Sequence, residues 1–251
     1  MGISSTRRSK SQLEKDIMAA LERLVTARGF MNIPMLALVK EAEVDPNVFY
    51  RHYGTVDKLY EKFVSRYNFW LNDTLNISDI CQLGDKKFYA ESMKTLFTEL
   101  EKNSIMQKLL LWELEEDNST TRGTANMREK LNLNLMAYYG EKFSTAAIDI
   151  NSLSALFIAG IFFLVLHRDR STFCSVDFTS AEGRKRFLSS IDTLTDILFD
   201  QLEEKQRQKE TVRKMQADGI PLTKIADYLG LSQYQLKKII GNLEGQKEQA
   251  D

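Results

Sequence analysis

Near the amino terminus Thr6, Arg7, Arg8 and Lys10 form a short basic arm, and guanidinium and ammonium groups are natural partners for phosphate oxygens. Candidates for covalent chemistry are few. The two histidines, His52 and His167, are far apart, as are the two cysteines, Cys81 and Cys174, which lack the paired spacing of a metal site or a disulfide framework. No glycine-rich phosphate loop and no cluster of metal ligands is present in the sequence. These residue types suit recognition of a polyanion better than catalysis, so the expectation is no enzyme activity, no cofactor and no metal.

The charge distribution agrees. The net charge of -1 hides an uneven pattern, with 11 basic against 9 acidic residues over 1–75, 14 against 20 over 76–204, and 9 against 4 over 205–247. Basic ends around an acidic middle suit two nucleic-acid-binding ends and a body that does not bind nucleic acid. The first ten residues are polar and basic with no apolar run after them, so no signal peptide is expected and the location read from the sequence is cytoplasmic. The longest apolar stretch, Leu153 to Leu166, is shorter than the roughly 20 residues of a membrane span, so it reads as a buried helix with no membrane partner.

Which elements would hold the basic and polar groups? Three prolines and twelve glycines in 251 residues leave long uninterrupted helical patterns, and the predicted class is all-α. Leu13, Ile17, Leu21, Leu24 and Val25 recur at helical spacing up to Gly29. A short helix over 34–41, a turn around Glu43-Val44-Asp45 and a second short helix over 46–53 follow. Met35, Leu38, Val39, Ala42, Val44 and Phe49 supply a shared interior, Asp45 a cap and Pro46 a first helical position. This is the helix-turn-helix layout, whose second helix can enter a major groove. Thr55 then caps a helix carrying Leu59, Phe63, Tyr67, Trp70 and Leu71. Helical segments near 86–102, 104–116 and 124–143 read as bundle walls. The segment 146–168, apolar nearly all round, and the stripe Phe187, Leu188, Ile191, Leu194, Leu198, Phe199 and Leu202 on a helix over 184–202 suit a four-helix seam between two copies of the chain.

Gly29-Phe30 through Val44, then Phe49-Tyr50-Arg51-His52-Tyr53 and Asp57-Lys58-Leu59, resemble the amino-terminal domain of the TetR/AcrR family of transcriptional regulators, closely over residues 10–72. The resemblance implies that Tyr50 and His52 contact backbone phosphates and that Pro46, Asn47 and Arg51 approach the bases. Arg7, Arg8 and Lys10 would add phosphate or minor-groove contacts. Glu43 stands where the family usually has glycine, Val39 where a small alanine is usual, and Val56 where a phosphate-binding lysine is common; Lys58 is placed to compensate. The resemblance also implies an apolar effector pocket in the body, for which Met93, Phe97, Leu110, Trp112, Met127, Leu131, Leu135, Tyr138, Tyr139 and Phe163 are candidates. The same residues at the same spacing equally describe plain core.

Sliding the chain by 187 residues lays Ile220-Pro221-Leu222 through Leu236 over residues 33–49, with an apolar counterpart for every apolar anchor. Gly230 falls at the position of Glu43, and Ser232 at that of the capping Asp45. This tail resembles the helix-turn-helix of resolvases and sigma-like factors, which would make Gln233, Tyr234, Gln235, Lys237 and Lys238 a candidate second DNA-binding set, with a protein-binding or dimer-buttressing role as the alternative. The expected organisation is a three-helix DNA-binding domain over 1–54, a helical effector-binding and dimerisation domain over 55–204, and a small helix-turn-helix module with a polar linker over 205–251. The expected function is that of a dimeric transcriptional regulator, in the first instance a repressor. Its DNA would be released when a small apolar ligand shifts the helix carrying Leu59 to Leu71. The other reading is a DNA-bound adaptor controlled by a protein partner through the body or the tail, without a small-molecule effector.

Overall fold

A computed structural model describes residues 8–31, 33–67 and 80–247, with Ile80, Cys81, Lys238 and residues 242–247 described by their backbone alone. Among the described residues the protein is all-α. Its single extended contact is an isolated bridge between Phe173 and Val176.

The first unit is built from α1 (Lys10–Arg28), α2 (Met35–Glu41), α3 (Pro46–Tyr53) and α4 (Val56–Val64), the last followed by a 3-10 turn over Ser65–Tyr67. Ser9 caps α1, its hydroxyl accepting from the Gln12 amide at 3.1 Å. Ile17, Leu21, Leu24 and Val25 on α1, Leu38 and Val39 on α2 and Phe49 on α3 are buried together. The two short helices are too brief to be stable alone, and this shared interior is what holds them. The bounds of α2 and α3 agree with the sequence expectation to within a residue, whereas α1 begins at Lys10, three residues before the expected start at Leu13. The helix expected up to Leu71 is described only to Val64 plus the 3-10 turn, and Trp70 and Leu71 lie outside the described residues.

The body comprises α5 (Ile80–Leu83), α6 (Asp85–Lys102), α7 (Ser104–Glu115), α8 (Ser119–Ser144), α9 (Ile150–His167) and the first half of α10 (Ala181–Ala217). Helix α6 is the hub, packing on α7, α9 and α10, while α8 lies against α7 and α9. At the carboxyl end of α6 the largely enclosed Glu101 carboxylate, 7 % exposed, pairs with Arg168 at 3.2 Å and Arg184 at 2.6 Å, which clamps the end of α9 and the start of α10. Along the same pair of helices Lys86 bridges to Asp196 and Asp200, and Lys94 to Asp192. Helices α7 and α8 are tied by Glu113, which takes Arg128 and the Thr124 hydroxyl.

The segment 146–168, which its composition requires to be covered on every side with a partner chain able to supply that cover, forms α9 over Ile150–His167; in the single chain 22 % of it is buried, and Leu156 and Phe163 reach solvent at 71 % and 49 % exposure. By length and composition alone α9 could cross a membrane. It nevertheless packs on α6, α7 and α8 and carries a buried Ser154 hydroxyl bonded to that of Tyr89 at 2.9 Å. On α10, Leu194 and Ile197 are likewise exposed.

The stretch 203–210, a solvated helix or linker on the sequence, is helical and continuous with both flanks, so α10 runs 37 residues from the body into the tail. The tail is completed by α11 (Leu222–Leu229) and α12 (Gln233–Lys247). Val212, Ile225, Ala226 and Leu236 form a core of their own, separate from the main one. The boundary expected at residue 205 thus falls inside a helix that belongs to two units.

Candidate nucleic-acid interface

Helix α3 is set by its neighbours in the chain. The Asp45 carboxylate accepts from the Asn47 amide at 2.7 Å and Pro46 opens the helix, a position where a missing N–H is harmless. Gly54, at φ 79°, ends it, its amide donating to the Tyr50 carbonyl at 2.8 Å. The turn before it is closed by Val44, whose amide donates to the Val39 carbonyl at 2.9 Å, with Glu43 left-handed at φ 52°. A residue with a Cβ in that region is strained by about 1 kcal/mol.

With Phe49 and Tyr53 buried, the 3.6-residue period turns Asn47, Tyr50 and Arg51 outward together. Pro46 and Lys58 are exposed beside them, and Lys10 is exposed at the start of α1. An amide, a phenol and a guanidinium on one face can satisfy base edges and phosphate oxygens at once.

Two residues of the expected set are placed differently. His52 is turned inward, its side chain 10 % exposed, its ring edge-on to Tyr53 at 4.6 Å and its Nε2 3.8 Å from Glu14. Glu14 also takes Lys62 at 2.6 Å, and the Lys62 hydrogen bond holds its carboxyl below the ordinary range. Arg8 does not extend outward; it donates to the carbonyls of Ala42 at 3.2 Å and Glu43 at 2.9 Å and lies 3.5 Å from Asp16. It straps the start of α1 over the α2–α3 turn, a role with no signal in the sequence. Thr6 and Arg7 lie outside the described residues. The acidic pair in the turn is in part internally neutralised, since Arg23 takes Glu41 at 2.6 Å and Arg8 takes Glu43 at 3.6 Å.

The unit docks on the body through aromatic rings. Phe30 stacks on Trp112 at 4.8 Å and 8°, and meets Tyr60 and Phe63 edge-on, while the Tyr60 hydroxyl donates to the Phe30 carbonyl at 3.3 Å. Trp112, a candidate pocket residue, is therefore a joint between units, its indole N–H given to Glu116 at 2.8 Å. The other pocket candidates differ in burial. Met93 and Phe97 are buried in packed core, Met127 and Leu135 are half-buried, and Leu131 and Phe163 are exposed. Tyr138 donates to Asp85 at 2.5 Å on the surface. A cleft of ≈ 670 Å³ lies between α6 and α10, where the charged Asp85, Lys86, Lys94, Lys142, Asp192 and Asp196 share the lining with the apolar Leu83, Ala90, Phe199 and Leu202, and none of the pocket candidates lines it.

In the tail, Gln233, Tyr234, Gln235 and Lys237 are all exposed on α12, and of Lys238 only the backbone is described. Among the described residues no group of three or more histidine, cysteine or carboxylate side chains could hold a metal ion. Neither protein-family models nor curated protein sequences match the chain.

Proposed function

We propose that the chain is a transcriptional regulator of the TetR/AcrR type, which binds duplex DNA as a homodimer by laying α3 in the major groove. The observation that carries this reading is the two-faced α3, with Asn47, Tyr50 and Arg51 outward over a buried Phe49 and Tyr53. An eight-residue helix reads only a half-site, and a second copy presents its equal one helical turn of DNA away. The exposed apolar residues of α9 and α10, Leu156, Phe163, Leu194 and Ile197, are the surface through which the copies join. A ligand acting on the body would reach α3 through the Phe30, Trp112 and Tyr60 joint, since α4 packs on α3.

The test is capture of genomic fragments by the intact protein, followed by titration of a recovered duplex. Asn47→Ala, Tyr50→Ala and Arg51→Ala together lower affinity for that duplex by more than about 100-fold while leaving the helical content unchanged. Undiminished affinity for the recovered duplex after this triple change ends the proposal.

A second reading is favoured by the lysine and aspartate side chains that rim the cleft between α6 and α10. In it the DNA-bound protein is controlled by a protein partner rather than by an apolar ligand. A partner that co-purifies and shifts operator affinity with no small molecule present would select it.

A further inference from the structure

The tail repeats the amino-terminal unit in geometry as well as in sequence. At an offset of 187 residues, fully buried Val25 meets Val212, Leu38 meets Ile225, Val39 meets Ala226 and Phe49 meets Leu236. The backbone matches at the same offset. The Leu38 amide donates to the Pro34 carbonyl at 3.2 Å, as that of Ile225 does to Pro221 at 3.0 Å; Val44 to Val39 at 2.9 Å, as Leu231 to Ala226 at 2.9 Å; Phe49 to Asp45 at 3.1 Å, as Leu236 to Ser232 at 3.0 Å. The turn residue is left-handed in both, Glu43 at φ 52° and Gly230 at φ 60°. The end of α10 takes the place of α1, α11 that of α2 and α12 that of α3.

We propose that this carboxyl-terminal unit is a second duplex-DNA-binding surface, which presents Gln233, Tyr234 and Lys237 of α12 to DNA as α3 presents its own outward residues. Tyr234, at 77 % exposure, falls at the offset position of Asn47, and Lys237 at that of Tyr50. Residues 205–247 carry nine basic and four acidic side chains, and Lys224 on α11 is an exposed one of the nine. A face of glutamine, tyrosine and lysine suits phosphates and base edges. It is poor for the core of a protein interface, from which lysine is depleted. Where it lies also matters. Helix α6 holds the start of α10 at its Glu101 end, and Asp196 and Asp200 of α10 at its Lys86 end, so α10 runs on past Asp85. The first unit docks instead on α7, through α1, and on α8, through α4. The two surfaces are thus separately mounted.

The experiment is fluorescence anisotropy of the intact protein with a labelled mixed-sequence duplex of about 30 base pairs, over about 50 to 200 mM salt. It compares K224A/Y234A/K237A, N47A/Y50A/R51A, and all six changes together, each checked for unchanged helical content. The tail variant is expected to bind at least about fivefold more weakly at low salt, with the slope of log affinity against log salt reduced by about two per protomer. The α3 variant should keep residual salt-dependent binding that the six-fold variant lacks. A tail variant with unchanged affinity and slope in both backgrounds overturns this inference and leaves the α3 proposal standing. Loss of all binding in the tail variant, with none in the α3 variant, supports it and overturns the α3 proposal. Competition by single-stranded RNA of equal length as effective as by the duplex overturns it in favour of an RNA surface, and an unaltered duplex curve with loss of a co-purified protein overturns it in favour of a partner.

Discussion

Tyr53 is the buried side chain in the first unit whose chemistry is most exposed to pH. Its hydroxyl finds no partner among the described residues, and burial, reinforced by Glu14, pushes it up to about 12. Tyr60 is likewise pushed up to about 12, by burial and then by Glu116 and Asp57. Both rings are neutral in folded and unfolded chains below about pH 10, so neither costs stability there. As pH rises from 10 towards 12 the unfolded phenol ionises first, and the folded state loses about 2 kcal/mol for each ring. Thermal unfolding followed by circular dichroism should show a falling midpoint over that window, and Tyr53→Phe should blunt the fall. The same change removes an unpaired buried hydroxyl and should raise the midpoint at neutral pH. Glu43 offers a second test. Its left-handed backbone costs stability that Gly230 avoids at the matching turn, so Glu43→Gly should stabilise by roughly 0.5–1 kcal/mol in denaturant titration, since the carbonyl that holds Arg8 remains. A loss of stability would mean that the Arg8 strap needs the Glu43 carboxylate as well.

At the scale of elements, glycines of the same helical type are predicted to respond with opposite sign. A Cβ at Gly183, in the first turn of α10, would lie 1.9 Å from the Asp177 carbonyl oxygen, where the loop before the helix folds back on it. A Cβ at Gly123, near the start of α8, would meet nothing within 4 Å. Gly123→Ala should therefore stabilise by about 1 kcal/mol, the ordinary helix preference, and Gly183→Ala should destabilise by about 2 kcal/mol despite it. Equal effects in denaturant titration would contradict the fold of the 177–183 loop. Element scale is also where the sequence was most readable. Helices α2 and α3 were legible because Pro34, Asp45, Pro46 and Gly54 mark their ends and a tight apolar period fills their interior. Helix α10 was not legible as one element, because residues 203–210 carry no apolar stripe. Their helicity comes from the preference of glutamate, lysine, glutamine and arginine, a signal equally compatible with a solvated linker. The Arg8 strap and the use of Trp112 as a joint were invisible for another reason. Each depends on a partner remote in sequence, which spacing along one helix does not name.

For the molecule as a whole, the unpaired apolar surface of α9 and α10 makes the assembly testable. A single copy leaves Leu156 and Ile197 in water at 71 % and 57 % exposure, and solvated surface of that kind is covered in most proteins. Light scattering of the wild-type protein should give twice the mass of the 28.9 kDa chain, and Leu156→Arg with Ile197→Arg should give the single mass. The monomeric variant should also lose most of its operator affinity, since one half-site contact remains. A double variant that stays dimeric would place the seam elsewhere, and the exposed Leu114 of α7 and Leu133 of α8 are the next surfaces to change.

Because α10 is one unbroken helix from the body into the tail, the direction in which the tail's outward face points is a matter of angular phase. Each residue inserted between Glu203 and Glu210 would turn that face by about 100° and carry it about 1.5 Å further out. Two added residues would aim it nearly backwards, whereas seven would restore its azimuth to within about 20° while displacing it by some 10 Å. The polar stretch behaves as a torsionally stiff shaft, so its length in residues matters less than the remainder it leaves after whole turns.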